Sequence, residues 1–282
     1  MDLFIQQVVS GFATGGIYAC MALSVVMIYQ AIHHLNFAQG EMAMFSTYIA
    51  WQLLAWGLPY WAVFPLVIAK PPTKLIENAP VLSHIVIFIA LFAIFNSFAG
   101  FIWDFTIKAV PSPFGDGPLY PGAPIGTHQA GMIGVTMVVL VMLWAFFRFT
   151  RMGLAMRAAA ANPDSARLVG VKVSMMTALG WGMASAIGAV AGVLIAPVVF
   201  LEPNMMLSIL LYGFAGAVLG GLTSPAGAVL GGFLVGIIEN LAGTYIPVIG
   251  GELKLPIALF LIVAVLLIKP AGLLGRRTVQ RV

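Results

Sequence analysis

The sequence predicts an all-α polytopic membrane protein of about 8 (8–9) transmembrane helices, with its N-terminus outside and its C-terminus in the cytoplasm. Composition is the first observation behind this. Of 282 residues 61% are hydrophobic and only 8% charged, against roughly 25% charged in a soluble domain, and the mean hydropathy is +1.05. Spacing is the second: apolar runs of about 20 residues recur between short breaks, as membrane-spanning helices require. The alternating segments of about ten residues that mark a membrane β-barrel are missing. Charge placement is the third, and it sets the direction of the chain.

Apolar segments run at 4–29, 35–56, 58–69, 81–103, 130–149, 174–200, 206–222, 225–245 and 254–269. The first opens with MDLFIQQVVSG, which lacks a basic leader and a convincing cleavage site, so it is read as a signal-anchor helix. The third is the weak member, because twelve helical residues reach only about 18 Å of a core roughly 30 Å thick. The seventh holds Gly213, Gly216, Gly220 and Gly221 and runs into Thr223-Ser224-Pro225. Such interrupted helices often line the path in transporters, where irregular backbone is tolerated. A faint echo links GFATGGIYA (11–19) to GFAGAVLGG (213–221), a weak hint of an internal repeat within a single transmembrane domain over 1–282.

Eleven of the thirteen basic residues fall in three clusters. Arg148, Arg151, Arg157, Arg167 and Lys172 surround one loop, Lys269, Arg276, Arg277 and Arg281 sit at the C-terminus, and Lys70 and Lys74 form the third. The positive-inside rule assigns all three to the cytoplasm. The Pro- and Gly-rich loop 104–129, whose one basic residue is Lys108, is then external. Many of the 31 glycines recur four apart, as in Gly188/Gly192, Gly216/Gly220, Gly227/Gly231 and Gly232/Gly236. Close packing between helices is the general reading, and a dimer seam the more specific one.

No chemistry-bearing motif is present. There is no G-x-x-x-x-G-K-[ST], no H-E-x-x-H, no C-x-x-C and no G-x-S-x-G. Cys20 is alone, and His33 and His34 adjoin the cytoplasmic end of the first span, where interfacial residues are common. The reading is therefore a passage with no catalytic residues, no metal site and no cofactor of its own. Polar residues inside the spans become the candidates for the path: Asn36, Gln39, Glu41, Asn96, Glu239 and Asn240, with Glu202 and Asn204 at an external mouth. Each has a competing role as a structural hydrogen-bonding group, and Glu41 and Glu239 lack an evident Lys or Arg partner in the sequence.

The loop at about 150–173 departs from its surroundings. MGLAMRAAAA favours helix, Asn162-Pro163 stops it, and Asn162, Pro163 and Asp164 are suited to start a second short helix that ends at Gly170. A loop that only fixed topology would need its arginines but not this capped helix.

DSARLVG (164–170) resembles the E-A-A-x-x-x-G loop of ATP-binding-cassette importer permeases, with Asp164 and Ser165 in place of the usual Glu and Ala. More closely, LNFAQGEMAMFSTY (35–48), RMGLAMRAAAANPDSARLVGV (151–171), YGFAGAVLGGLTSPAGAVLGG (212–232), ENLAGTY (239–245) and KPAGLLG (269–275) in that order resemble the branched-chain amino acid permease family of the LivH type. The resemblance implies a coupling helix that docks on a separate ATPase, with Asp164, Ser165, Ala166 and Gly170 at its core and Arg157 and Arg167 flanking. It also implies partners: a second related permease, two ATP-binding subunits and an external solute-binding protein, assembled in a bacterial inner membrane. The third apolar segment departs from the family pattern by stopping at Ala69 before Lys70-Pro71-Pro72, as though residues were missing there. The alternative expectation is a stand-alone secondary transporter or channel for small polar solutes such as amides or urea. An integral-membrane enzyme is disfavoured by the absent catalytic constellation.

Overall fold

Apolar segments without a polar stripe have no water to satisfy their backbone groups, so each closes its own hydrogen bonds as helix. The computed structural model describes residues 2–32, 35–63, 81–121, 123, 125–246 and 253–275. His33, His34, Lys70, Lys74, Arg276, Arg277, Arg281 and the segment from 64 past Ala69 lie outside the described residues. The helices are α1 (Asp2–Ile32), α2 (Gln39–Ala55), α3 (Val81–Trp103), α4 (Thr127–Phe149), α5 (Arg151–Ala161), α6 (Pro163–Leu168), α7 (Val173–Val199), α8 (Met205–Gly220), α9 (Pro225–Tyr245) and α10 (Lys254–Ile268). Among the described residues, extended pairing is limited to the isolated bridges Lys108–Leu201 and Pro118–Gly126.

Five helices, α1, α3, α4, α7 and α9, are long and apolar enough to cross a membrane. The helices α2, α8 and α10 have 17, 16 and 15 residues, or about 23–26 Å, less than the roughly 30 Å core. Only the start of the third apolar segment, to Val63, is described. The chain forms two compact units, one of Met1–Val26, Ser112–Gly134 and Ser208–Val282, the other of Met27–Pro111 and Val135–Leu207.

In the first unit, α9 lies against α1 and α8 through glycine. A Cβ on Gly236 would stand 2.3 Å from Gly15 Cα, and one on Gly232 would stand 2.4 Å from Ala19 Cα. On α8, Gly216 meets Gly232 and Gly220 meets Gly227 at similarly closed distances. These glycines are consumed by packing within the chain, so their four-residue spacing answers to the general reading rather than to a dimer seam. The KPAGLLG stretch also finds its role here. Leu273 N–H and Leu274 N–H donate to Leu219 and Gly220 carbonyls at 2.8 and 2.9 Å, closing the free end of α8.

In the second unit, α2 and α7 run in the same direction. Gln39 donates to Ala184 O at 2.9 Å, a Cβ on Gly188 would touch both Gln39 and Ala43, and one on Gly192 would collide with Thr47. Ala184 lies near the middle of α7, so α2 begins about halfway along it. The sequence-based span 35–56 therefore contains a helix that starts inside the packed unit, not at its edge. Further along, α7 carries Pro197 and ends at Val199. Phe200 follows at φ +63° and ψ 158°, a positive-φ extended conformation otherwise kept almost entirely to glycine. This turn sends Leu201 into the interior, where it exchanges two 2.9 Å backbone bonds with Lys108.

Candidate functional site: the α5–α6 loop and the buried polar groups

Six residues cannot hold a helix in isolation, because nucleation costs more than so few bonds return. What holds α6 is its ends and one anchor. Thr150 Oγ1 accepts from Gly153 N–H at 2.9 Å to start α5, and Asn162 Oδ1 accepts from Ser165 N–H at 2.9 Å to start α6, with Pro163 in the first turn. At the far end Val171 N–H reaches Ala166 O and Gly170 N–H reaches Arg167 O, each at 3.0 Å. These are the paired bonds of a Schellman stop, and Gly170 supplies the φ of +85° it needs. The anchor is Ala166, 3% exposed and packed with Ala159 and Met176.

That anchor decides what the loop presents outward. Ala166 faces the protein's own α5 and α7, whereas Leu168, two residues on and some 200° around the helix, is 89% exposed. Val169 is 78% exposed beside it. Asp164 and Arg167 pair at 3.1 Å across the exposed side, a contact worth little energy in water, and Ser165 and Gly170 are also exposed. The outer surface of the loop is thus two large aliphatic side chains with an ion pair next to them. Sequence reasoning passed over Leu168 and Val169. The signal was present, since two bulky apolar residues end a short helix otherwise made of small and charged ones.

Four of the six intramembrane polar candidates fall in the second unit. Asn36 Oδ1 accepts from Ala38 N–H at 2.9 Å and shapes the entry into α2, while Gln39 joins α2 to α7. Both are buried. Glu41, in the first turn of α2 and 1% exposed, receives Asn96 Nδ2 at 3.4 Å. The same amide nitrogen lies 3.0 Å from Pro203 O and 3.1 Å from Asn204 Oδ1. Exposure rises from buried Glu41 through half-buried Asn96 to exposed Asn204, so this trio is a polar ladder from surface to interior. A carboxylate in the first turn also gains from the helix dipole.

Glu239 and Asn240 belong to the first unit and are engaged there. Tyr18 Oη donates to Glu239 Oε2 at 2.7 Å, and Lys254 Nζ stands 3.5 Å from Glu239 Oε1. The cation that the sequence did not reveal as a partner comes from the start of α10, fifteen positions further on. Asn240 Nδ2 donates to Thr14 Oγ1 at 3.0 Å and to Gly236 O at 3.1 Å. Both side chains tie helices together, with Glu239 buried and Asn240 partly so.

The whole chain can be set against known proteins. Residues 7–268 match the family described as branched-chain amino acid transport system, permease component. The high-affinity branched-chain amino acid transport system permease protein LivH of Escherichia coli K12 is 30% identical, over 99% of this chain and 98% of that protein. BraD of Pseudomonas aeruginosa, of the same description, is 29% identical over the same shares. A probable LivH of Methanocaldococcus jannaschii is 28% identical over 90% of this chain and 87% of its own. The first two alignments extend over 305 positions against 282 residues here, so those relatives carry at least 23 residues that this chain lacks. Among solved structures, PsaBC from Streptococcus pneumoniae in complex with a Fab superposes with a TM-score of 0.52 at 12% identity, covering 93% of this chain and 91% of that one. That likeness concerns the fold alone.

Proposed function

The chain belongs to the permease component family of branched-chain amino acid transport systems, and from that premise we propose that it is the translocation subunit of an ATP-binding-cassette importer. Its solute is a branched-chain or related amino acid, and it catalyses no reaction itself. ATP hydrolysis takes place on two separate ATP-binding subunits. A second homologous permease completes the path, and a periplasmic solute-binding protein delivers the solute across a bacterial inner membrane. Eight or nine crossings follow from the apolar segments, and an external N-terminus and a cytoplasmic C-terminus from the basic clusters.

The observation that carries this reading is the outward face of α6. An exposed pair such as Leu168 and Val169, held on a capped helix at a predicted cytoplasmic surface, suits burial in a groove of a soluble partner. Asp164, Ser165, Arg167 and Gly170 rim that contact, and Ala166 transmits its displacement to α5 and α7. Closure of the ATPases on ATP then shifts the population between inward-open and outward-open states. The ladder Asn204–Asn96–Glu41 supplies hydrogen-bonding groups along the solute path, and selectivity resides largely in the binding protein. Co-expression with the matching ATP-binding subunits tests the proposal. Wild type should co-purify with them and support ATP-dependent uptake in proteoliposomes, and Leu168→Glu with Val169→Glu should lose both. Uptake that persists without ATPases and collapses with the proton gradient would establish a secondary transporter instead.

A further inference from the structure

Arg157 stands on α5 rather than on α6, and it is exposed. It sits on α5 at the wall of a crevice that also takes in the last turns of α1 and α4 and the first turns of α7, with about 40 Å³ of space reachable by water. Gln30, Arg157 and Thr177 provide its polar lining, and Met27, Phe147 and Met176 its apolar lining. We infer that this crevice is a binding site for the phosphate headgroup of an anionic phospholipid.

Charge is the first argument. Among the described residues the two ion pairs are Asp164–Arg167 and Glu239–Lys254, so no described carboxylate pairs with Arg157. From Arg148 to Val173 the chain carries five cations and a single acid, Asp164, and that acid is already paired with Arg167. A guanidinium cannot escape by losing its proton, and its planar fork matches two phosphate oxygens. Among the described residues Arg157 is thus an exposed, permanent positive charge with no carboxylate partner, which an anion can engage.

Size is the second. A single water needs at least about 10–15 Å³ of such space, so the crevice admits roughly three waters, or one phosphate group in their place. Thr177 offers a further donor to the remaining phosphate oxygens.

The third argument chooses lipid over free phosphate. The crevice lies where α1 and α4 end and α7 begins, at helix ends that the basic run from Arg148 to Lys172 assigns to the cytoplasmic interface. Its methionine and phenylalanine lining offers apolar surface next to the cation, which a free inorganic anion does not use and a glycerophospholipid does. Basic pockets between helices at this depth are the form that headgroup recognition takes. A bound headgroup would brace α5 against α7, the two elements on which Ala166 rests.

The test uses the purified full-length chain and reads lipid binding directly, so it needs no ATPase and is independent of the docking proposal. Native mass spectrometry after titration with phosphatidylglycerol, phosphatidylcholine or inorganic phosphate gives the affinity of each. Phosphatidylglycerol is expected to bind wild type at least tenfold more tightly than phosphatidylcholine does. Arg157→Gln should weaken it about tenfold, Thr177→Val two- to threefold, and Arg151→Gln less than twofold, with melting temperatures reported alongside to certify folding. Equal loss in Arg151→Gln and Arg157→Gln would reduce the effect to diffuse surface charge and overturn the site. Unchanged binding in a folded Thr177→Val and Arg157→Gln pair would overturn it as well. Inorganic phosphate binding as tightly as the lipid would overturn the lipid assignment.

Discussion

The Tyr18 hydroxyl and the Glu239 carboxylate meet at 2.7 Å, joining the middle of α1 to the last turns of α9. Tyr212 stacks on the Tyr18 ring with centroids 4.8 Å apart, and Lys254 approaches the other carboxylate oxygen. A buried carboxylate that loses a donor keeps its desolvation cost, so Tyr18→Phe should destabilise the protein by about 1–3 kcal/mol. Thermal unfolding in detergent measures this. Because the group serves as a tie between helices, uptake at a temperature where the variant stays folded should remain near wild type. A strong loss of uptake with no change in melting would instead place Glu239 on the solute path.

Two glycines provide a sharp contrast. At Gly236 a methyl group would lie 2.3 Å from Gly15 Cα, and backbone cannot yield as a side chain can, so Gly236→Ala should abolish folded yield. At Gly134, in the interior of α4, nothing lies within 4 Å of the added atom. Gly134→Ala should be neutral or stabilising by about 0.5–1 kcal/mol, from helix propensity. Size-exclusion profiles and melting curves of the two variants decide the matter.

Much of this was legible in the sequence. The Asn162-Pro163 boundary and the Gly170 stop follow from local chemistry, because a cap, a fixed φ and a left-handed turn each demand particular residues. Most of the long apolar segments follow equally from their lack of polar residues. What could not be read is what depends on the neighbour across the bundle. That Ala166 turns inward and Leu168 outward depends on Met176, ten positions on. Glu239 finds Lys254 and Tyr18 only once α1, α9 and α10 are packed. The halfway start of α2 depends on glycines in α7. Periodicity is a property of one helix, and α1 and α2 show little of it because most of their circumference is apolar.

The caps of α6 should be separable from its surface. Asn162→Ala removes an N-cap and should cost about 1 kcal/mol of local helix stability, and Gly170→Ala forces a methyl-bearing residue to φ +85° at about 1–2 kcal/mol. Both should speed amide hydrogen exchange in residues 164–169. Leu168→Glu should leave exchange unchanged while weakening retention of the ATP-binding subunits at least tenfold. If Leu168→Glu melts the helix instead, its side chain packs within the permease and the docking proposal loses its surface.

The ladder from Asn204 to Glu41 offers the most direct separation of path from scaffold. Asn96 Nδ2 serves Glu41, Pro203 and Asn204 together. Asn96→Leu therefore strips the donor from a buried carboxylate, with an expected cost of about 1–3 kcal/mol. Asn204 is exposed and gives up only one shared contact, so Asn204→Ala should be thermally silent. If these groups line the route of a zwitterionic solute, Asn204→Ala should still lower uptake several-fold in proteoliposomes that contain the complete importer. ATP hydrolysis stimulated by the loaded binding protein should persist in that variant, because the α6 contact is untouched. Wild-type uptake in a folded Asn204→Ala would remove the upper rung, and the solute would have to pass along another face.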